Sequence, residues 1–482
     1  MMAEFDWNIL LPVLLVAGLV LVVLCVDIIR PDNKGRLSGY IALIGTAVAM
    51  FVTLSLWGSE PTHGFGGMIF LDKYALFFNL IFLTGSGLTI FVSASYIERE
   101  GAAKSEYYLL ILSATLGMML MAAGADLIVI FLGLELMSIA LYILVGFLRG
   151  RQSSNEASMK YLLLGAFATG FLLYGIALIY GSTGTTNLRE IELALTQGRV
   201  NGHVTLLSGV ALLMVGLAFK VGAAPFHMWA PDVYEGAPTS ITAFMSAGPK
   251  AAAFAGFFRI LFVALKPITE EWSGAVWVLA AITMTVGNLG ALSQRNIKRM
   301  LAYSSVAHAG YVLVALASAN EKGITGGLFY LFAYTFMNIG AFAIVIAVGK
   351  KGEENLEISS YSGLGFRHPA LGLAMTLFMI SLAGLPPTAG FFGKFYIFSG
   401  AVEAGLIGLA IIGVLNSLVS VYFYLGVVVS MYMRQPVGEA RALMLSPFAR
   451  AALVVTSIAT LYIGLVPSRF LQMARETVSS LL

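Results

Sequence analysis

The sequence predicts an all-α integral membrane protein, one bundle of about fourteen transmembrane helices. Three observations carry this prediction. Hydrophobic residues fill 59% of the 482 positions and charged residues only 11%, with a mean hydropathy of +0.89; a water-soluble domain cannot cover itself with so little polar surface. Apolar segments of roughly 17–25 residues, each able to cross a ~30 Å hydrocarbon layer as helix, recur from end to end and leave no room for a soluble domain. Two of these segments are broken by proline and glycine beside a lysine.

Charged, Gly/Pro and Asn/Ser clusters punctuate the chain into spans at 7–29, 36–57, 74–97, 105–123, 126–148, 158–180, 204–234, 238–265, 272–293, 297–317, 323–348, 369–401, 404–432 and 447–467. They group as three N-terminal helices (1–104), a first five-helix unit (105–265), a second (272–432) and a C-terminal helix (447–482). The opening MMAEFDW carries acids where a signal peptide needs basic residues, so 7–29 reads as a retained span. Cys25, the only cysteine, excludes disulfides, iron–sulfur ligation and CxxC zinc sites on this chain, and reads as a buried, inert thiol. The five histidines show no metal-ligand spacing, and neither GxGxxG nor GxxxxGK[ST] occurs. No metal, haem, flavin, NAD or ATP site is therefore expected, and no basic tail offers a surface to nucleic acid.

Fourteen spans put both termini on one side. Odd-numbered connections hold 16 Lys and Arg residues, from Arg30, Lys34 and Arg36 to Arg434, Arg441 and Arg450, whereas even-numbered ones and the ends hold 7. The positive-inside bias places both termini outside. The remaining five cations lie within apolar spans: Lys160, Lys220, Lys250, Arg259 and Lys394. A charge at bilayer depth costs from ~3 to over 10 kcal/mol, so it persists where it is paired, solvated or needed. Arg259, six residues from the end of its span, either snorkels or serves a structural role. Lys160, near the start of its span, is either an interfacial anchor or a participant.

As continuous helix the seventh span would be about 46 Å long, and Pro225 and Pro231 remove backbone donors within it. It must be interrupted. The twelfth repeats the pattern in SLAGLPPTAGFFGKF, where Lys394 follows the break. Broken spans in corresponding places of two halves are the mark of an inverted-repeat transporter with its ion site at the break, here spans 4–8 against 9–13; a proline kink used only for packing is the other reading. Glu135 lies nine residues past Asp126, about 13.5 Å along the helix, which puts it near mid-membrane while Asp126 caps the interface. A Glu135–Lys220 pair at ~4 Å and an effective dielectric of ~20 is worth about 4 kcal/mol, and about half that at twice the distance. A motion of a few ångströms then switches a buried lysine between holding and releasing a proton. Lys250 follows Pro249 at similar depth. His227 and His308 either relay protons or hydrogen-bond to a neighbour.

The stretches FKVGAAPFHMWAPDVYEGAPTSITAFMSAGPKAAAFA (219–255), RNIKRMLAYSSVAHAGY (295–311) and LAGLPPTAGFFGKF (382–395) resemble the antiporter-like membrane subunits of respiratory complex I, the proton-pumping NADH:quinone oxidoreductase, and the related multisubunit cation/proton antiporters. Within that family the wording is most similar to the subunit N branch, and the resemblance spans the whole chain. It implies fourteen helices, inverted repeats and a mid-membrane line of proton-transferring residues, Glu135, Lys220, Lys250 and Lys394, with Lys160 as a further family lysine; His308, from its place in span ten, is the other candidate. It also implies that flavin, iron–sulfur clusters and quinone sit on partner subunits of a hetero-oligomer in the bacterial inner membrane. A subunit of a Mrp-like antiporter and a purely structural membrane subunit are the alternatives.

The charge bias generates a direct test. A reporter placed at Ser153 is expected to face the cytoplasm and one fused after Leu482 the periplasm; finding both on one side would remove the fourteen-span arrangement.

Overall fold

The computed structural model describes residues 10–30, 35–352, 356–435, 443 and 445–481. Residues 7–9 of the first expected span and the loop cations Lys34 and Arg441 lie outside the described residues. Among those described, thirteen helices are long and apolar enough to cross a membrane: Leu11–Ile29, Arg36–Ser55, Lys73–Arg99, Ser105–Ala123, Leu127–Val145, Gln152–Thr183, His203–Val221, Thr239–Ala264, Lys266–Leu292, Ile297–Ser318, Glu321–Val348, Ile407–Met433 and Pro447–Leu465. The remaining expected span, the twelfth, is divided into Pro369–Ala383 and Ala389–Glu403. His203–Val221 is likewise the first half of the seventh, whose second half is Trp229–Gly236. The spans are numbered 1–14 in chain order below, with halves 7a, 7b, 12a and 12b. Spans 6 and 9 start about two turns earlier than their sequences suggested, because Gln152–Ser158 and Lys266–Glu271 are polar enough to read as loop yet continue as helix. Glu270 and Glu271 in the first turn of span 9 suit the positive end of its dipole.

The two breaks share a backbone device. Half-helix 7a ends at Gly222 (φ +75°) and 12a at Gly384 (φ +84°), left-handed conformations open to glycine without a side-chain clash. In each, the residue after the cap donates back across the last turn: Ala223 to Ala218 (2.8 Å) and Leu385 to Ile380 (3.2 Å). Freed groups beyond the turn find side-chain partners. Ala224 N–H donates to Thr283 Oγ1 (3.0 Å), and Gly390 N–H to Ser381 Oγ (3.2 Å).

Burial sorts the spans into a centre and a rim. Spans 8 and 10 are almost wholly enclosed, with 94% of the residues in their most apolar stretch buried, whereas span 1 buries 22%. Glycine lets the backbones approach: a Cβ on Gly117 of span 4 would lie 2.5 Å from the Gly133 carbonyl of span 5, and one on Gly133 2.7 Å from that of Gly117. The rim position of span 1 corrects one expectation. Cys25 is exposed, not buried, because it lies on the face of that helix turned away from the bundle.

One membrane face carries elements that hydrophobicity alone did not announce. A hairpin pairs Thr62–Gly64 with Ile69–Leu71, a short amphipathic helix covers Leu188–Thr196, and another, Pro467–Ser479, follows span 14. The last is strapped to the bundle by Glu476, which accepts from Lys73 Nζ (2.9 Å) and Trp57 Nε1 (3.3 Å). The Lys73 ammonium holds that carboxyl below its ordinary range. The same face resolves the two readings of Arg259. It is fully buried and donates bidentately to Asp72 (2.8 and 2.9 Å) and to the Ala122 carbonyl (2.7 Å). Asp72 in turn caps span 3 by accepting from Ala75 N–H (2.7 Å). Arg259 is thus a structural ion with a carboxylate partner.

Stripping one partner from such a pair costs about 3–5 kcal/mol, whereas replacing both with apolar groups is near neutral. Asp72→Asn is therefore expected to lower the thermal midpoint of the detergent-solubilised complex, and adding Arg259→Met to recover most of it. An Asp72→Asn variant that melts like the parent would contradict this role.

Candidate functional site

Lys220 sits in the last turn of 7a, just before Gly222, with its ammonium aimed at span 5. It donates to Ser138 Oγ (2.7 Å) and Tyr142 OH (3.3 Å), and lies 5.6 Å from the centre of the Tyr142 ring. The expected direct pair with Glu135 is not formed: no ion pair within 4 Å joins the two among the described residues, and Glu135 Oε1 instead accepts from Thr169 Oγ1 of span 6 (2.9 Å). The reason is helical geometry. Glu135 and Ser138 are one turn apart on span 5, but Glu135 meets span 6 while Ser138 meets 7a. Lys220 and Glu135 are neighbours through the hydroxyl-bearing face of span 5.

Lys250 lies in the middle of span 8, buried, immediately after Pro249. It donates to the Ser305 carbonyl (2.5 Å) and to Ser305 Oγ, both on span 10. One turn further along span 10, buried His308 bonds through Nε2 to Tyr424 OH of span 13 (2.7 Å) and through Nδ1 to Tyr330 OH of span 11. Tyr424 also bonds with Ser304, next to the residue that holds Lys250. Lys394, on 12b, reaches back to the last carbonyls of 12a, Leu382 (3.0 Å) and Ala383 (2.9 Å), and to Ser417 Oγ of span 13 (3.0 Å). Those carbonyls are the negative end of a helix dipole, which suits an ammonium. Its Nζ stands 4.8 Å from the ring centre of Tyr311, and that ring meets His308 edge-on at 5.5 Å.

The structure therefore brings Lys250, His308 and Lys394 into one polar seam and places Lys220 with Ser138 and Tyr142 at the other break. Lys160 does not join this line. It lies at the mouth of a cavity of about 710 Å3, paired with Asp232 and Glu156 (2.8 Å each). His227 lies in the break between 7a and 7b, where its ring faces Tyr303 at 6.3 Å between centroids. Sequence reasoning missed Ser138, Tyr142, Ser305, Tyr330 and Tyr424. The serine pair beside His308 in YSSVAHAGY was a visible signal, as polar residues in an apolar span; the tyrosines carried none.

Residues 123–420 match the family model described as NADH:quinone oxidoreductase/Mrp antiporter, TM. The chain is 53% identical to NADH-quinone oxidoreductase subunit N of Trichlorobacter lovleyi, an alignment that covers 98% of this chain and 96% of that protein. It belongs to the NADH:quinone oxidoreductase/Mrp antiporter membrane-subunit family, on the subunit N branch. A chain of respiratory complex I from Thermus thermophilus is similar at 36% identity and a TM-score of 0.82, with 96% of this chain and 98% of that one covered. A chain of the Mrp complex from a Dietzia species shares the fold at a TM-score of 0.87 and 21% identity, with 99% and 98% covered. The branch assigned from the wording of 219–255 is thus the one that identity over the whole chain supports.

For this antiporter-like subunit, the geometry makes Ser138 the nearest acceptor of Lys220. A hydrogen bond to a charged group is worth about 1.5–3 kcal/mol, so Ser138→Ala is expected to slow coupled quinone reduction in membranes by roughly tenfold or more, with subunit levels unchanged on blotting. Parental rates would show that Ser138 merely fills space.

Proposed function

We propose that this chain carries protons across the membrane as an antiporter-like subunit of an NADH:quinone oxidoreductase, through Glu135, Lys220, Lys250 and Lys394 with His308 between the last two. Its partners are the other membrane subunits of a hetero-oligomer, and the energy comes from quinone reduction on subunits that hold the flavin, iron–sulfur clusters and quinone. The redox chemistry lies elsewhere; this chain is the translocase module. It sits in the inner membrane with both termini on the periplasmic side, and spans 4–8 and 9–13 are inverted repeats, a reading supported by the matching left-handed caps at Gly222 and Gly384.

One contrast carries the proposal. Arg259, the structural cation, has a carboxylate at 2.8 Å, whereas Lys220, Lys250 and Lys394 are buried against hydroxyls and backbone carbonyls. Burial disfavours the charged form of a lysine, and a neutral partner does not offset that penalty as a carboxylate does. Such an ammonium can surrender its proton and regain it. Glu135 adjusts that balance from across span 5, so a proton arriving at or leaving one break changes the tendency of the next lysine to ionise. The 53% identity to a subunit N, against 21% to the Mrp chain, favours coupling to quinone reduction over an antiporter driven by ion gradients.

Lys220→Ala is expected to abolish proton uptake and coupled quinone reduction in inverted vesicles, while electron entry from NADH to an artificial acceptor persists. Lys220→Arg keeps the charge yet hardly releases a proton, so it should restore assembly better than transport. If Lys220→Ala and Glu135→Ala both assembled and pumped at the parental ratio, the pair would be a packing feature.

A further inference from the structure

Lys160, a sequence candidate that the lysine line leaves aside, belongs to a chain of alternating charges at the mouth of the 710 Å3 cavity. Glu156 and Asp232 both hold Lys160 at 2.8 Å; Asp232 also holds Arg299 at 2.8 Å, and Arg299 holds Glu235 at 2.7 Å. These residues come from three separate elements. Glu156 and Lys160 lie on span 6, Asp232 and Glu235 on half-helix 7b, and Arg299 in the first turn of span 10. Asp232 reaches a cation on each neighbouring span, Lys160 on span 6 and Arg299 on span 10. Lys298 of span 10 completes the grip by donating to the Ala237 carbonyl at the end of 7b (2.8 Å).

Half-helix 7b is only eight residues long, so these contacts decide where it sits. Its first residue reaches back to 7a. Trp229 Nε1 donates to the Phe219 carbonyl in 7a (3.0 Å), and the indole stacks on Tyr161 with centroids 4.6 Å apart and planes 17° from parallel. Tyr161 meets Tyr142 edge-on at 4.9 Å, and Tyr142 is the hydroxyl that accepts from Lys220. Close-packed rings transmit a displacement because they have no void to absorb it.

We infer that Asp232 is a positioning residue for Lys220: by clamping 7b between spans 6 and 10 it sets, through Trp229, Tyr161 and Tyr142, the hydrogen-bonding geometry of the Lys220 ammonium. The inference rests on Lys220 being a proton carrier. It gives Lys160 a role as one jaw of that clamp, separate from the mid-membrane line.

The test is a double-mutant cycle in the assembled complex, read as proton uptake and quinone reduction in vesicles with subunit levels blotted. Asp232→Asn is expected to lower both rates by roughly tenfold, the effect of losing a charge-assisted contact, and Asp232→Glu to recover most of the loss. Tyr161→Leu, which leaves the ion chain untouched, is expected to give a similar loss, and the double variant little more than either single one. Where Asp232→Asn fails to assemble, Lys160→Gln takes its place in the cycle. Fully additive losses, or parental rates in Asp232→Asn or in its Lys160→Gln replacement, would overturn the clamp. If Lys220→Ala still abolished pumping in that case, the proposed function would stand without it.

Discussion

A helix that stops inside a bilayer must find partners for the backbone groups it frees, because no water in the hydrocarbon supplies them. Much of this chain's polar interior follows from doing so twice. At the second break the last carbonyls of 12a accept from Lys394, and at the first the Phe219 carbonyl takes the Trp229 indole while Thr283 takes the Ala224 N–H. The breaks thereby create places where an ammonium can reside at depth, and the first leaves 7b only eight residues long, so that contacts with its neighbours position it.

Two groups of buried and half-buried cations differ in their physics. Arg259 with Asp72, and Lys160 and Arg299 with Asp232, are ion pairs that tie neighbouring helices together. Lys220, Lys250 and Lys394 meet dipoles, which stabilise an ammonium less than a carboxylate does. A single chain thus pairs some cations with carboxylates and holds others by hydroxyls and backbone carbonyls, the division on which the proposed carrier role rests. Glu135 stands between the two groups. It accepts from Thr169 and makes no ion pair within 4 Å with Lys220 among the described residues.

The rim elements were the least legible part of the fold. The hairpin at 62–71 and the helices Leu188–Thr196 and Pro467–Ser479 are short and amphipathic, so span-length hydrophobicity passes over them. They are stabilised by contacts such as Glu476 with Lys73, whose partners are 403 residues apart in sequence. Cys25 illustrates the opposite error. A hydrophobic run says that a residue lies in the membrane, but whether it faces lipid or protein depends on where its helix sits in the bundle.

The sequence by itself determined the membrane class, the number of spans, both breaks and four of the buried cations, Lys220, Lys250, Arg259 and Lys394; it assigned fully buried Lys298 to a connection and placed part-exposed Lys160 within a span. Each of these follows from one-dimensional quantities: segment length against bilayer thickness, proline and glycine against helix continuity, and charge against a hydrocarbon background. Only the tertiary structure decided the partners. Lys220 meets Ser138, Lys250 meets Ser305 and His308 meets Tyr424, pairs separated by 82, 55 and 116 residues. Which side of an almost uniformly apolar helix turns inward leaves little trace in its own periodicity; it is set by how neighbouring helices pack, as where Gly117 and Gly133 let spans 4 and 5 close together. That rotation sends Glu135 to Thr169 and Ser138 to Lys220, and so replaces the ion pair that depth alone suggested with a hydroxyl-lined cage.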